Sequence, residues 1–204
     1  LAWQEARLIA EHVEKNTFFQ NIFSGHALGS ESAGLAEFGV IPDTPCTVVI
    51  FDGQPKITHS LSFQERSSFQ QALGNLSGCL LSGKSGCVQV TDIYNHQVLI
   101  IPQTQLPFGP DHFLGRLSAA ALENFSKDIV CGYGNGEDGL AAAISSAYQT
   151  ALQFFTFRTV YGTESGAVHT RLPEKQALEQ LNTSIRGIAG GLLKKDHQVI
   201  LNSL

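Results

Sequence analysis

Apolar residues that run continuously or alternate with polar ones predict four β-strands in the middle of the chain. The first and the last of these runs are almost entirely apolar, which is typical of buried strands, and the second alternates as a half-buried strand does. A short polar connection between the second and third runs predicts a hairpin. The four predicted strands are Val48–Phe51, Val88–Ile93, Val98–Ile101 and Ile129–Tyr133.

Apolar residues at helical spacing predict helices between and around these strands. From residue 46 to 133 the predicted order is β-α-β-β-α-β, which is the ferredoxin-like order and favours an antiparallel sheet with helices on one face. The apolar positions of the main helices are Ile9, Val13, Phe19 and Phe23; Phe69, Ala72, Leu73 and Leu76; Phe113, Leu114, Leu117, Ala121 and Phe125; and Ala143, Ile144, Ala147, Ala151, Phe154 and Phe155.

The predicted elements divide the chain into three parts, and the fold class is α+β. A helical segment spans residues 1–44, an α+β core spans 45–172, and a second helical segment spans 173–204. Residues 167–170 form a candidate last strand. The segment from 128 to 162 joins the last core strand to the longest helix through Gly132, Gly134, Gly136 and Gly139. We interpret these glycines as a turn in which the backbone takes positive φ.

Composition narrows the possible functions. The net charge is −5 and only 13 residues are Lys or Arg, so we expect no DNA binding by this chain alone. No apolar run approaches the length of a membrane span, and the charged N-terminal helix does not resemble a signal peptide. Four cysteines form no C-x-x-C pair, and seven histidines show no metal-ligand spacing. We expect a cytoplasmic protein with reduced cysteines and no metal or other cofactor.

Two glycine-rich segments match nucleotide-binding signatures literally. Gly78–Ser85 fits G-x-x-x-x-G-K-S, in which Lys84 would pair with a phosphate and Ser85 would hold magnesium. That device follows a strand and opens a helix, whereas here a predicted helix precedes it and a strand follows. Gly134–Gly139 fits G-x-G-x-x-G, but Glu137 would bring negative charge to the pyrophosphate. We therefore expect no catalytic residues, and a nucleotide-binding enzyme acting through Gly78–Ser85 remains an alternative.

The strand and long helix also resemble a known family. The residues that carry this resemblance are Gly132-Tyr133-Gly134-Asn135, Leu140, Tyr148 and Ala151. They are similar to the GGDEF-like middle domain of AraC-type response regulators of the YesN kind, with CdaR- and PucR-type regulators as relatives. The entry segment 18–25 and the tail 178–204, with Lys194-Lys195-Asp196, fit the same domain order.

The resemblance implies a degenerate nucleotidyl cyclase fold. In GGDEF domains an Asp after the first strand holds metal, and the central hairpin carries further acids. Asp52 stands at the first position, but the hairpin reads Tyr94-Asn95-His96-Gln97 without an acid, so we interpret the cyclase site as absent.

The implied function is a non-catalytic regulatory and dimerisation module of a bacterial two-component transcription regulator. Its helix-turn-helix domain would lie outside this sequence. The resemblance implies a homodimer that reaches DNA only through that helix-turn-helix domain. A small-molecule-sensing domain, with an unknown ligand-binding site, is a further alternative.

Overall fold

The structure is a computed structural model that describes residues 2–26, 31–53 and 61–161. Every described residue belongs to one compact unit, Leu1–Val168. The predicted strand at 167–170 and the predicted helices of 173–204 lie outside the described residues.

Helices and strands follow one another in an α+β arrangement. Two helices come first, and the following elements alternate around the sheet. In chain order they are α1 (Ala2–Phe23), α2 (Glu31–Glu37), β1 (Cys46–Gly53), α3 (Phe63–Leu80), β2 (Val88–Thr91), β3 (Gln97–Pro102), a 3₁₀ turn (Gln103–Gln105), α4 (Gly109–Phe125), β4 (Ile129–Gly136) and α5 (Ala141–Tyr161).

The four strands form one antiparallel sheet in the order β2-β3-β1-β4. Strand β1 lies in the interior, where Val49 pairs with Leu99 on one side and with Tyr133 on the other. All eight residues of β1 and all six of β3 are buried. The predicted strands are therefore present, although β2 ends at Thr91 and leaves Ile93 exposed in the following turn.

Helices cover both faces of the sheet, and the two helices that lie between the strands, α3 and α4, share one face as that part of the sequence predicted. Helices α3 and α4 pack on the face of Val49, Phe51, Leu99 and Ile101. Helices α1, α2 and α5 pack on the opposite face, which carries Val48, Ile50, Val98 and Ile100. A strand buried on both faces presents apolar residues to both sides, which explains the continuous apolar runs Val48–Phe51 in β1 and Val98–Ile101 in β3.

Local sequence signals fix the ends of the two helices on the first face. Helix α3 begins at a capping box in which Glu65 N–H donates to Ser62 Oγ and the Glu65 carboxylate accepts from Ser62 N–H. Helix α4 has Pro110 in its first turn and is followed by the C-cap residue Ser126, which has a left-handed backbone.

Gly132, Gly134 and Gly136 lie inside β4, not in a turn, and this corrects the sequence interpretation. None of them is among the described residues with positive φ. Their importance is close approach, because a Cβ at Gly132 or Gly134 would overlap the backbone oxygen of Ala151 or Ala147 on α5. The spacing of two along the strand matches the spacing of four along the helix, so α5 lies directly on the β4 backbone.

Candidate functional site

The polar centre of the domain is the turn between β2 and β3, where the Asp92 carboxylate is buried. Its Oδ1 accepts hydrogen bonds from the backbone N–H of Tyr94 at 2.9 Å and of His96 at 2.8 Å. Its Oδ2 accepts from the Tyr148 hydroxyl at 2.9 Å and lies 3.0 Å from His96 Nδ1. Each oxygen thus has two partners, which fills the usual acceptor capacity of a carboxylate. Asp92 holds the turn in shape and joins it to α5.

Tyr148 connects this turn to the N-terminal helix. Its ring stacks on Phe23 of α1, with 4.1 Å between ring centroids and an interplanar angle of 10°. The neighbouring Gln149 side chain donates to the Phe23 carbonyl at 2.9 Å. Burial beside Asp92 raises the pKa of the Tyr148 hydroxyl, first by desolvation and then by the nearby negative charge. The hydroxyl therefore stays a hydrogen-bond donor at neutral pH.

Helix α1 also binds the end of strand β2 directly. Thr91 N–H donates to Asn16 Oδ1 at 3.1 Å, and the Thr91 carbonyl accepts from Gln20 Nε2 at 3.3 Å. Because β2 is at the edge of the sheet, these two side chains satisfy peptide groups that no strand pairs with. The N-terminal helix, the β2–β3 turn and α5 are thus linked by side-chain hydrogen bonds.

Asp52 lies at the end of β1 and is also buried. Its Oδ1 accepts from its neighbour Gly53 N–H at 2.6 Å and from Gln70 Nε2 on α3. Desolvation raises the pKa of the Asp52 carboxyl, and the Gly53 hydrogen bond, His96 and Arg66 partly oppose that rise. The Gln70 Oε1 beside it is buried without a hydrogen-bond partner. Asp52 is therefore a hydrogen-bonded core residue, more enclosed than the simple turn residue that its position suggests.

A cleft of about 190 Å³ opens between α1, α5 and the β2–β3 turn. Three aromatic rings, two aliphatic side chains, two amides, a hydroxyl and one carboxylate line it. These residues are Gln20, Phe23, Ser24, Asp92, Ile93, Tyr94, Tyr148, Gln149 and Leu152.

The segment that matches a phosphate loop is a helix end followed by a turn. Gly78 belongs to the last turn of α3, and the segment leads into β2. The Lys84 ammonium donates to the Gln105 carbonyl at 2.5 Å. The next element after Ser85 is strand β2 and not a helix, so no helix N-terminus presents backbone N–H groups to a phosphate there.

The space beside the Gly134–Gly139 segment is likewise filled by other parts of the protein. The backbone of α5 fills the space beside Gly134, and the carbonyl of Ile41 fills the space beside Gly139. The close approach that glycine permits in dinucleotide sites is therefore used here for packing.

The cysteines and histidines do not converge on a metal site in the described parts of the chain, where no group of three potential ligands occurs. Burial raises the pKa of Cys46 to about 11 and of Cys131 to about 12, so both thiols are protonated at neutral pH. Cys79 is exposed and Cys87 half-buried, and all four are free thiols.

Sequence reasoning missed Asp92, the most connected polar residue of the site. The signal was present, because an Asp that ends a strand and precedes a tight turn commonly accepts hydrogen bonds from the next backbone N–H groups. Asn95, with φ of 66°, marks the same turn. Tyr148 was noted only as part of a motif, since nothing in its spacing indicates that it faces Asp92.

Among the described segments, no helix combines the length with the apolar character that a membrane span requires. In comparisons with known proteins, no family model, no curated protein and no solved structure matches this chain.

Proposed function

We propose that this chain is a non-catalytic regulatory and dimerisation domain of a bacterial AraC-type transcription regulator. Its sheet is then a ferredoxin-like, degenerate form of the nucleotidyl cyclase fold. The order β-α-β-β-α-β with strands arranged β2-β3-β1-β4 supports this fold assignment. The protein would act in the cytoplasm as a homodimer and reach DNA through a helix-turn-helix domain outside this sequence.

The observation that carries the proposal is that Asp52 and Asp92, the two acids near the β2–β3 turn, both accept internal hydrogen bonds. A cyclase needs carboxylates that face a metal ion and a triphosphate. Asp52 is buried against Gln70, and the oxygens of Asp92 have four protein partners. Residues so enclosed serve the domain's own structure, which favours a regulatory role over a catalytic one.

The links between α1 and the rest of the domain support signal transmission. Asn16, Gln20 and Phe23 of α1 contact β2 or α5, and Tyr148 connects α5 to the β2–β3 turn. A displacement of α1 would therefore disturb the turn and α5 together. This coupling fits a module that receives a signal at its N-terminal helix.

A reporter assay tests the regulatory proposal. The whole chain is fused ahead of a DNA-binding domain that represses its operator only as a dimer. We expect stronger repression than with the DNA-binding domain alone. Equal repression at equal protein levels would contradict a dimerisation function.

A turnover assay tests the non-catalytic part of the proposal. The purified chain is incubated with GTP or ATP and magnesium, and we expect no product above background. The proposal is wrong if turnover is seen and is lost in Asp52→Ala or Lys84→Ala.

A further inference from the structure

The cleft between α1, α5 and the β2–β3 turn has the size and lining of a small-ligand site. Its volume of about 190 Å³ is comparable to engineered protein cavities of about 150 Å³ that hold benzene. Polar groups are present as well, since Gln20, Ser24 and Gln149 contribute to the lining. A ligand of one ring with a short polar substituent therefore fits this space.

The charge of the cleft selects the type of ligand. Among its described lining residues, Asp92 is the one charged side chain, and none is Lys or Arg. A phosphate or carboxylate would meet no positive partner there and would be repelled by Asp92. The net charge of the whole chain, −5, adds to this preference for cations.

Aromatic rings supply the second attraction. Phe23, Tyr94 and Tyr148 line the cleft. Phe23 and Tyr148 cover one face of each other, so the 57% exposed ring of Tyr94 offers the most accessible face, and such faces attract ammonium groups. Because the oxygens of Asp92 already have four partners, the carboxylate would act on a ligand through its charge and not by a new hydrogen bond. The rings and this charge would favour the same end of a ligand.

We propose that this cleft binds a compact organic cation, an ammonium group carried on a single ring or a short hydrocarbon chain. The bound molecule would contact Phe23 of α1, Tyr94 of the turn and Leu152 of α5 at once. Its role as the effector of the domain rests on the proposed regulatory function. Its binding does not, because it depends on the cleft alone.

Three probes of matched size and different charge test the proposal. Benzylammonium, benzyl alcohol and benzoate are titrated into the purified chain, and binding is followed by ligand-observed NMR. We expect benzylammonium to bind at least about fivefold more tightly than benzyl alcohol, and benzoate to bind most weakly. Absence of benzylammonium binding, or equal binding of all three probes, would overturn the proposal.

Substitutions then locate the bound probe. Leu152→Trp should fill the cleft and abolish benzylammonium binding, whereas Leu122→Trp, at an exposed position of α4, should leave it unchanged. Tyr94 is 57% exposed, so Tyr94→Leu should keep the fold. It should weaken benzylammonium several-fold more than benzyl alcohol, because it removes a ring face. Retained binding in both cleft variants would place the cation elsewhere and refute the site.

The reporter assay separates this inference from the proposed function. Dimer-dependent repression without any binding of the probes would refute the cation site and keep the regulatory domain. Binding of benzylammonium by a chain that fails in the reporter would keep the site and refute the dimerisation function.

Discussion

Gly134 is the residue at which strand β4 and helix α5 come closest. A side chain there would meet the Ala147 carbonyl and the Thr150 side chain, and a helix backbone cannot rotate away as a flexible side chain can. We expect Gly134→Ala to lower the free energy of unfolding by about 3 kcal/mol or more. Urea unfolding followed by circular dichroism measures this change.

Gly115 provides the matched control for that substitution. It lies in α4, and no atom approaches within 4 Å of the position a Cβ would take. Gly115→Ala should raise the free energy of unfolding by roughly 0.5–1 kcal/mol, because alanine favours the helix. Equal effects at the two positions would show that close packing does not explain the glycines of β4.

Asp52 allows a prediction about pH. Burial raises its pKa in the folded protein above the unfolded value, so folding favours the protonated form. As pH rises through the pKa that Asp52 has in the unfolded chain, the unfolded chain loses this proton first and the free energy of unfolding falls. Above the pKa that Asp52 has in the folded protein, the free energy of unfolding stops falling. The amide introduced by Asp52→Asn cannot ionise, so this variant does not lose that stability as pH rises. Its free energy of unfolding minus that of the wild type should therefore be larger at pH 7 than at pH 4.

Urea titrations of both proteins at the two pH values measure this difference. Asp128→Asn, at an exposed position before β4, reports the effect of removing a solvated charge. A relative stability of Asp52→Asn that does not change with pH, or that falls toward pH 7, would contradict the burial argument.

Single residues also show what sequence reasoning can and cannot find. Glycines in a strand carry the same local signal as glycines in a turn, and only the backbone of α5 distinguishes them. Asp52 was predictable as a strand-end acid, but its contact with Gln70 depends on how α3 packs. The partner of Asp92 on α5, Tyr148, is likewise 56 residues away along the chain.

At the scale of elements, the β2–β3 hairpin is stabilised by contacts with α1 and α5. Tyr148→Phe keeps the ring that stacks on Phe23 and removes the hydroxyl that donates to buried Asp92. We expect a loss of about 1–3 kcal/mol in the free energy of unfolding, because Asp92 loses one of its four partners.

Tyr133→Phe is the control on strand β4. Its hydroxyl lies 3.5 Å from Asp111 Oδ2, which is a long hydrogen bond at a half-buried position. The loss of stability there should be clearly smaller. Hydrogen exchange of the Tyr94 and His96 amides should rise in the Tyr148 variant alone. Unchanged exchange of those amides would show that the hairpin does not depend on α5.

The elements themselves were largely predictable, since the strands and the main helices follow their apolar periods. The arrangement of the helices on the two faces of the sheet was less predictable. A continuous apolar run indicates burial, yet it does not say which helices cover each face. The stripe of α1 shows why, because Phe19 and Phe23 are buried, whereas Ile9 and Val13 of the same stripe are exposed. Where a helix leaves the sheet is decided by tertiary packing.

At the scale of the whole molecule, the first half of α1 is the surface best suited to self-association. Ile9 is 65% exposed and Val13 57%, four residues apart and therefore on one side of the helix. Their stripe continues into the part of α1 that packs on the sheet, so two copies could pair along the same line.

We expect a homodimer in sedimentation equilibrium, and Ile9→Asp with Val13→Asp should weaken it at least about tenfold because both charges would be buried at the contact. Val160→Asp, at a position 61% exposed on α5, should leave the dimer unchanged. A wild-type chain that stays monomeric at high concentration would remove the dimer from the proposed function, and a dimer that tolerates both α1 charges would place the contact on another surface.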